Sequence, residues 1–334
     1  MIKYLKKIRE KKGKRWFALA LIFALLPLLH LYYPHISFRL FDDRIDFHLG
    51  VYSLALLYVA LAMGLNLSIG FIGMLDLGFA AFVGIGAYTL AILTNHSTLP
   101  FWIFIPVAAL TAGFVRMVLG ATCLHLRGDY LAIVTLGFGE IFVTLLKNNP
   151  GGLTGGPDGI PLSLLRLSLS DLTRFWLAYF FAMLAVWTVY RIKFSRIGRA
   201  LESIREDEIA AEAMGIPVYR LKLLAYSLGG VIAGGIGALL AVEVGSAHPS
   251  NYDFFESARI VAMVVVGGTG SIFGSALGAI GFVFLLEIFR PLAEYRMLIF
   301  GAVMVLLMIY RPKGLLETER KRSKKKLSKL DCQK

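Results

Sequence analysis

The sequence predicts an all-α integral membrane protein, a polytopic helical bundle of eight to ten transmembrane helices with glycine-broken or re-entrant segments. Hydrophobic residues make up 57% of the chain, charged residues only 17%, and the mean hydropathy is +0.70. Apolar runs close to the ~20 residues that cross hydrocarbon as a helix recur from end to end. The net charge of +13 is confined to the termini. Residues 1–15 hold eight basic and one acidic group (+7), residues 311–334 hold ten basic and three acidic groups (+7), and everything between sums to −1. Nucleic-acid binding would need a basic face on a folded domain, so that class is set aside. Basic flanks on apolar spans place both ends in the cytoplasm. The expected organisation is a basic N-terminal tail (1–15), a transmembrane domain (16–310) and a basic C-terminal tail (311–334).

The first apolar run, Trp16 to Tyr33, follows basic residues as a signal peptide would, but it is long and no A-x-A site follows it, so it reads as an uncleaved span. The next runs are Leu49 to Ile69, Phe71 to Leu93, Phe101 to Leu124, Tyr130 to Leu146, Phe175 to Tyr190 and Leu223 to Val244. Arg259 to Phe289 and Met297 to Tyr310 complete the set. Counting crossings from a cytoplasmic N-terminus puts the acidic Asp42, Asp43 and Asp46 loop and the Thr94 to Pro100 loop outside. Arg127 and the charged segment 191–222 fall inside. A single crossing by Arg259 to Phe289 would then strand the basic C-terminal tail outside. At ~1.5 Å per residue a straight helix over this run would be about 46 Å long, so two elements broken near Gly267-Gly268-Thr269-Gly270-Ser271 are expected.

A second glycine-interrupted run, Gly70 to Gly73 leading into Gly78, Gly84 and Gly86, lies in the first half. Paired glycine-broken segments mark transport pathways in two-halved membrane proteins. Gly73, Gly78, Gly267, Gly268 and Gly270 are therefore pathway candidates. Gly230/Gly234 and Gly274/Gly278 have the four-residue spacing of close helix packing and are read that way.

Segment 191–222 is charged and helix-forming. Ser195 caps a first helix, and Glu206, Asp207 and Glu208 load the start of a second, where the macrodipole favours negative charge. Gly215 and Pro217 stop it. Ile209-Ala210-Ala211-Glu212-Ala213-Met214 presents a small, mildly apolar face beside acids. A lipid anchor would show Trp, Phe or Leu with basic residues, so a docking site for another protein is expected, against the alternative of a solvated connector.

Asp76, Arg116 and Glu140 are ionisable residues within apolar runs, where a charge costs several kcal/mol unless paired or wet. Arg116 and Glu140 lie at similar depth and are expected to pair. Asp76 and Glu140 remain candidates either for the pathway or for structural pairing. Glu243, Glu256 and Glu287 fall near span ends and read as interfacial. Cys123 and Cys332, with the isolated His30 and His125, give no disulfide framework, no metal site and no cofactor site. The chain contains no G-x-x-x-x-G-K-[ST] phosphate loop and no clustered nucleophile or carboxylate pair, so it is not expected to be an enzyme.

Ala210-Ala211, three residues and Gly215 resemble the EAA-type coupling loop of ABC importer permeases, with the Glu one place early at Glu208 and Ile209 in its position. GDYLAIVTLGFGEI from Gly128, TGGPDGI from Thr154, IGRALESIREDEIAAEAMGI from Ile197, VVVGGTGSIFG from Val264 and EYRMLIFGAVMVLLMIYRPKGLL from Glu294 extend the likeness. From about Leu49 to Leu316 the chain resembles the LivM-type permeases of branched-chain amino-acid ABC transporters. The resemblance implies a non-catalytic subunit in a bacterial inner membrane. Its partners would be a homologous LivH-type permease, two cytoplasmic ABC ATPases, a periplasmic amino-acid-binding protein and the surrounding lipid. It further implies ATPase coupling through Glu206, Asp207, Glu208, Ile209, Ala210, Ala211 and Gly215. A proton-coupled secondary transporter using Asp76 and Glu140 as relay carboxylates is the alternative; it would sustain uptake without ATP.

Overall fold

The computed structural model describes residues 48–289 apart from 98, 126–128 and 163–168, together with 37–40, 43–46 and 301–302. The predicted first span, Arg127, both basic tails and the run Met297 to Tyr310 apart from residues 301–302 lie outside the described residues.

Six of the described helices are long and apolar enough to cross a membrane, and the protein is a polytopic helical membrane protein. α1 (Leu49–Asn66) runs without a break into a π-helical turn (Leu67–Ile72) and holds an 18-residue stretch that is wholly buried. Apolar on every side, it is the central post of the bundle. α5 (Asp171–Lys193) and α8 (Val218–Val244) pack along it; α2 (Phe79–His96) and α3 (Phe104–Cys123) pack on α8, and α4 (Asp129–Lys147) leans on α2. Between α5 and α8 stand α6 (Arg196–Glu206) and α7 (Glu208–Ala213).

Two short antiparallel strand pairs accompany the helices. β1 (Ser37–Leu40) and β2 (Asp43–Asp46) form a hairpin that sets Phe38 opposite Ile45. Their alternating polar and apolar residues carry a strand period where the acidic residues had suggested only a loop. β3 (Ile160–Pro161) pairs with β4 (Ser246–Ala247), and Leu162 N donates to Gly245 O at 3.0 Å.

α8 makes the closest contacts in the bundle, through small residues. A Cβ on Gly234 would lie 2.4 Å from Ala108 O, one on Gly237 2.0 Å from Val83 O, and one on Gly86 2.0 Å from Gly234 O. Only hydrogen fits at such approaches, and the resulting backbone proximity is the usual glue of membrane helices. The four-residue glycine spacing is thus a packing seam, as read from the sequence.

The run from Arg259 to Phe289 is broken where expected. α9 (Phe254–Gly267) stops at Gly268 (φ +116°), and α10 (Ile272–Ile288) starts after Ser271, whose hydroxyl accepts from Gly274 N at 3.1 Å. A Cβ on Gly278 would lie 2.2 Å from Met263 O, so the two arms pack tightly as a hairpin. Its tip meets the π-turn end of α1, while Tyr52 and Phe284 stack edge to face at 5.7 Å near the other end. α9 starts beside Tyr58, midway along α1, and spans only half of the bundle.

Candidate functional site: a glycine junction under the charged helix pair

In the segment 191–222, Ser195 caps α6 by accepting from Gly198 N at 3.2 Å, and Gly198, Leu201 and Ile204 turn inward. Asp207 ends α6 and caps α7, accepting from Ala210 N at 3.0 Å. Gly215 then takes φ +79°, and Ile216 N closes the turn on Ala211 O at 3.2 Å. Glu208 is anchored by Lys222 at 2.6 Å. With Ala211 buried, α7 aims its remaining apolar groups outward: Ile209 is 69% and Met214 82% exposed. Glu206, Asp207 and Ala210 are exposed beside them. Of the sequence-predicted coupling residues, Glu206, Asp207, Ile209, Ala210 and Gly215 are thus exposed, Glu208 is half-buried on Lys222, and Ala211 faces inward.

Directly beneath lie the two glycine breaks. Gly270 N donates to Asn66 Oδ1 at 2.9 Å, and a Cβ on Gly70 would lie 2.6 Å from Gly270 N. Gly73 ends the π-turn at φ +84°, and Gly270 sits at φ +78°. Backbone groups freed inside a membrane protein need internal partners, and side chains from the charged segment supply them. Arg205 of α6 donates to Gly70 O and, at 3.3 Å, to Thr269 Oγ1. Lys193, at the end of α5, donates to Gly270 O at 2.6 Å. Gly70 and Gly73 of the first break and Gly270 of the second therefore come together, held by two cations, while Gly268 bonds locally, to Val264 O and Ser271 N. Gly78 lies apart, where a Cβ would meet Thr135 O of α4 at 2.1 Å, and Gly267 packs on Gly274 of the hairpin.

Asp76 lies in the stretch between the π-turn and α2, fully buried. Its partner is Arg116, also fully buried, at 2.5 Å. Ser68 Oγ accepts from the same guanidinium nitrogen at 2.9 Å, and Gly78 N donates to Asp76 Oδ1 at 3.1 Å. The guanidinium lies among Phe79, Phe82 and Tyr226, with ring centroids at 4.9, 5.2 and 4.2 Å, a setting in which cation–π attraction adds to the ion pair.

The expected Arg116–Glu140 pair does not form. Arg116 occupies the face of α3 packed on α2 and α8 and reaches Ser68 of the π-turn, whereas Glu140 is exposed on the outward face of α4 beside Ile141, 67% exposed. Equal depth along two helices says nothing about which way each residue faces. Glu256 is not interfacial either. It is buried, accepts from Tyr58 Oη at 2.7 Å, and pairs with Arg259 at 2.5 Å.

Arg205, Lys193, Tyr58 and Arg259 were not singled out as site residues from sequence, and Glu256 was read there only as interfacial. The three-residue spacing of Asp253 and Glu256, a capping pattern, was the available signal for α9; Asp253 indeed accepts from Glu256 N at 3.1 Å. Nothing in sequence tied Arg205 to Gly70.

A bundle of apolar helices with two glycine breaks meeting under a charged helix pair defines a membrane permease. Residues 48–308 match the family model described as branched-chain amino acid transport system / permease component, and the chain belongs to that family. It is 40% identical to the high-affinity branched-chain amino acid transport system permease protein LivM of Escherichia coli K12, over 82% of this chain and 71% of that protein. It is 26% identical to LivH of the same organism, over 78% of this chain and 91% of LivH. The autoinducer 2 import system permease LsrC of Yersinia pestis is 26% identical, over 84% of this chain and 77% of LsrC. No solved structure matches the chain significantly.

Proposed function

We propose that this chain is a permease subunit that carries leucine, isoleucine, valine or related apolar amino acids inward, driven by ATPase subunits that it does not itself contain. The observation that carries the proposal is the linkage just described. An exposed helix pair bears an apolar docking patch, Ile209 and Met214, and grips both glycine breaks through Arg205, with Lys193 at the end of α5 bonded to the second break beside it.

The LivM and LivH likenesses support a heteromeric assembly with a LivH-type permease, two cytoplasmic ABC ATPases and a periplasmic amino-acid-binding protein. The orientation that fits has both termini and α6–α7 on the cytoplasmic side of a bacterial inner membrane. Because α9 and α10 form a hairpin, the spans over 16–33 and 297–310 then restore an even number of crossings. Under this reading 16–310 is the permease domain and 191–222 its coupling segment, with basic cytoplasmic tails at 1–15 and 311–334. ATP-driven closure of the ATPase pair displaces α7, α6 follows, and Arg205 moves the glycine junction that ends α1 and the α9–α10 hairpin.

The test is uptake of labelled branched-chain amino acids by the assembled transporter in proteoliposomes, with binding protein outside and ATP on the ATPase side. Uptake that stops on ATP removal supports the reading. Uptake that continues without ATP under a proton gradient overturns it in favour of a secondary transporter.

A further inference from the structure

Among the described residues, beyond the Asp76–Arg116 pair and the glycine junction, three charges stand well within the length of the apolar bundle: Glu140 on α4, and Glu256 and Arg259 on α9. Glu256 is level with the middle of α1, where Tyr58 Oη binds its Oε1 at 2.7 Å. Its other oxygen, Oε2, takes Arg259 Nη1 at 2.5 Å, and the Arg259 side chain is 26% exposed. Phe255 on the same half-helix is 65% exposed. Just before α9, Tyr252 meets the same point of α2 as Phe142 of α4. A Cβ on Gly84 would lie 2.6 Å from the Phe142 ring and 2.9 Å from that of Tyr252. The hydroxyls of Tyr88 and Tyr252, whose rings lie 6.2 Å apart, are buried without a protein hydrogen-bond partner. Accessible charges at this depth almost always face a wet cavity or another polar surface rather than lipid. Two unfilled hydroxyls beside them add hydrogen-bonding capacity that the chain itself does not use.

We propose that Glu256 and Arg259 are a transit site for a zwitterionic amino acid, a role resting on the proposed amino-acid transport. The substrate carboxylate replaces Glu256 Oε2 on the Arg259 guanidinium, which offers a planar fork of donors. The freed Oε2 turns to the substrate ammonium, while Tyr58 holds Oε1 in place. One ion pair becomes two, with no charge left unpaired, so the exchange avoids the cost of stranding an ion in a low-dielectric setting. Phe255 offers ring surface to an apolar side chain. A single i,i+3 pair thus matches both charged ends of any α-amino acid and is indifferent to its side chain.

The experiment uses the assembled transporter in proteoliposomes, first with the wild-type chain and labelled leucine. If that complex imports no amino acid with ATP, the transport reading itself fails and the transit site falls with it. With wild-type uptake established, Arg259→Gln is expected to lower maximal uptake roughly tenfold or more, with Arg259→Lys intermediate. In a chain with Cys123→Ser and Cys332→Ser, Phe255→Cys is expected to react with a charged thiol reagent, whereas Phe180→Cys, on the 62% exposed outer face of α5, stays silent. Loaded binding protein should slow the Phe255→Cys reaction. Wild-type uptake by Arg259→Gln, or a Phe255→Cys as unreactive as Phe180→Cys, overturns the site while leaving the transport reading intact. If Arg259→Gln does not assemble, the thiol comparison decides, because it keeps the ion pair.

Discussion

Arg205 on α6 donates a hydrogen bond to the carbonyl of Gly70, 135 positions earlier in the chain, and so fastens an exposed helix to the last turn of the most buried one. With Thr269 and Lys193 completing the contact on the other break, three distant stretches of sequence share one small junction.

Removing the guanidinium should separate ATP use from transport. In Arg205→Met the Gly70 carbonyl loses a charge-assisted bond worth ~1.5–3 kcal/mol, and amino acid moved per ATP hydrolysed is expected to drop about tenfold or more. Parallel measurement of uptake and phosphate release in proteoliposomes reads this ratio. An unchanged ratio would show that α6 does not drive the junction.

The docking patch should act without contributing to the fold. Ile209→Lys changes a side chain that is 69% exposed, and its effect on stability is expected within about 0.5 kcal/mol. Association with the ATPase subunits, measured by co-purification, is expected to weaken strongly. Thermal unfolding of the isolated permease in detergent should be unaltered.

The Asp76–Arg116 pair should behave as a buried couple. Arg116→Met leaves a carboxylate with 0% side-chain exposure unpaired, a loss of about 3–5 kcal/mol. Asp76→Leu combined with Arg116→Met should recover part of that loss, because no ion remains. A double-mutant cycle on the unfolding midpoint in detergent gives the coupling. Strict additivity would mean that the two residues are independent.

The α8 seam should tolerate no side chain. Gly234→Val places methyl groups against Ala108 O and Ala112 Cβ, each already 2.4 Å from an ideal Cβ. A destabilisation of at least about 1–3 kcal/mol is expected, read as a lowered midpoint or loss of monodisperse protein.

Much of this architecture was legible in sequence because span length is set by bilayer thickness, a one-dimensional rule that needs no knowledge of neighbours. The break at Gly267 to Ser271 followed from run length and crossing parity, and the caps at Ser195 and Asp207 from local chemistry. What could not be read was azimuth. Arg116 and Glu140 share a depth, but one faces the core and the other faces out, and long apolar helices carry little amphipathic pattern to tell the sides apart. Arg205 looked like one more charge on a solvated helix. Its reach to Gly70 depends on how α6 folds back beneath α1, a tertiary fact with no local signature. The Tyr58–Glu256 bond was hidden because Glu256 sits in a first helical turn, which from sequence suggests a surface.

At the end of the bundle away from α7, the β3–β4 rung joins two loops that sequence keeps far apart. The glycine-rich stretch around Gly155 and Gly159 is bonded, two residues wide, to the strand that leads down into Tyr252 and α9. Asn95 at the tip of α2 reaches Pro161 O at 3.4 Å, bracing the same spot. The surface loop and the head of the half-length helix are thus stitched together by backbone bonds, so the α9–α10 hairpin is tied to both ends of the protein, at β4 on one side and at Arg205 and Lys193 on the other.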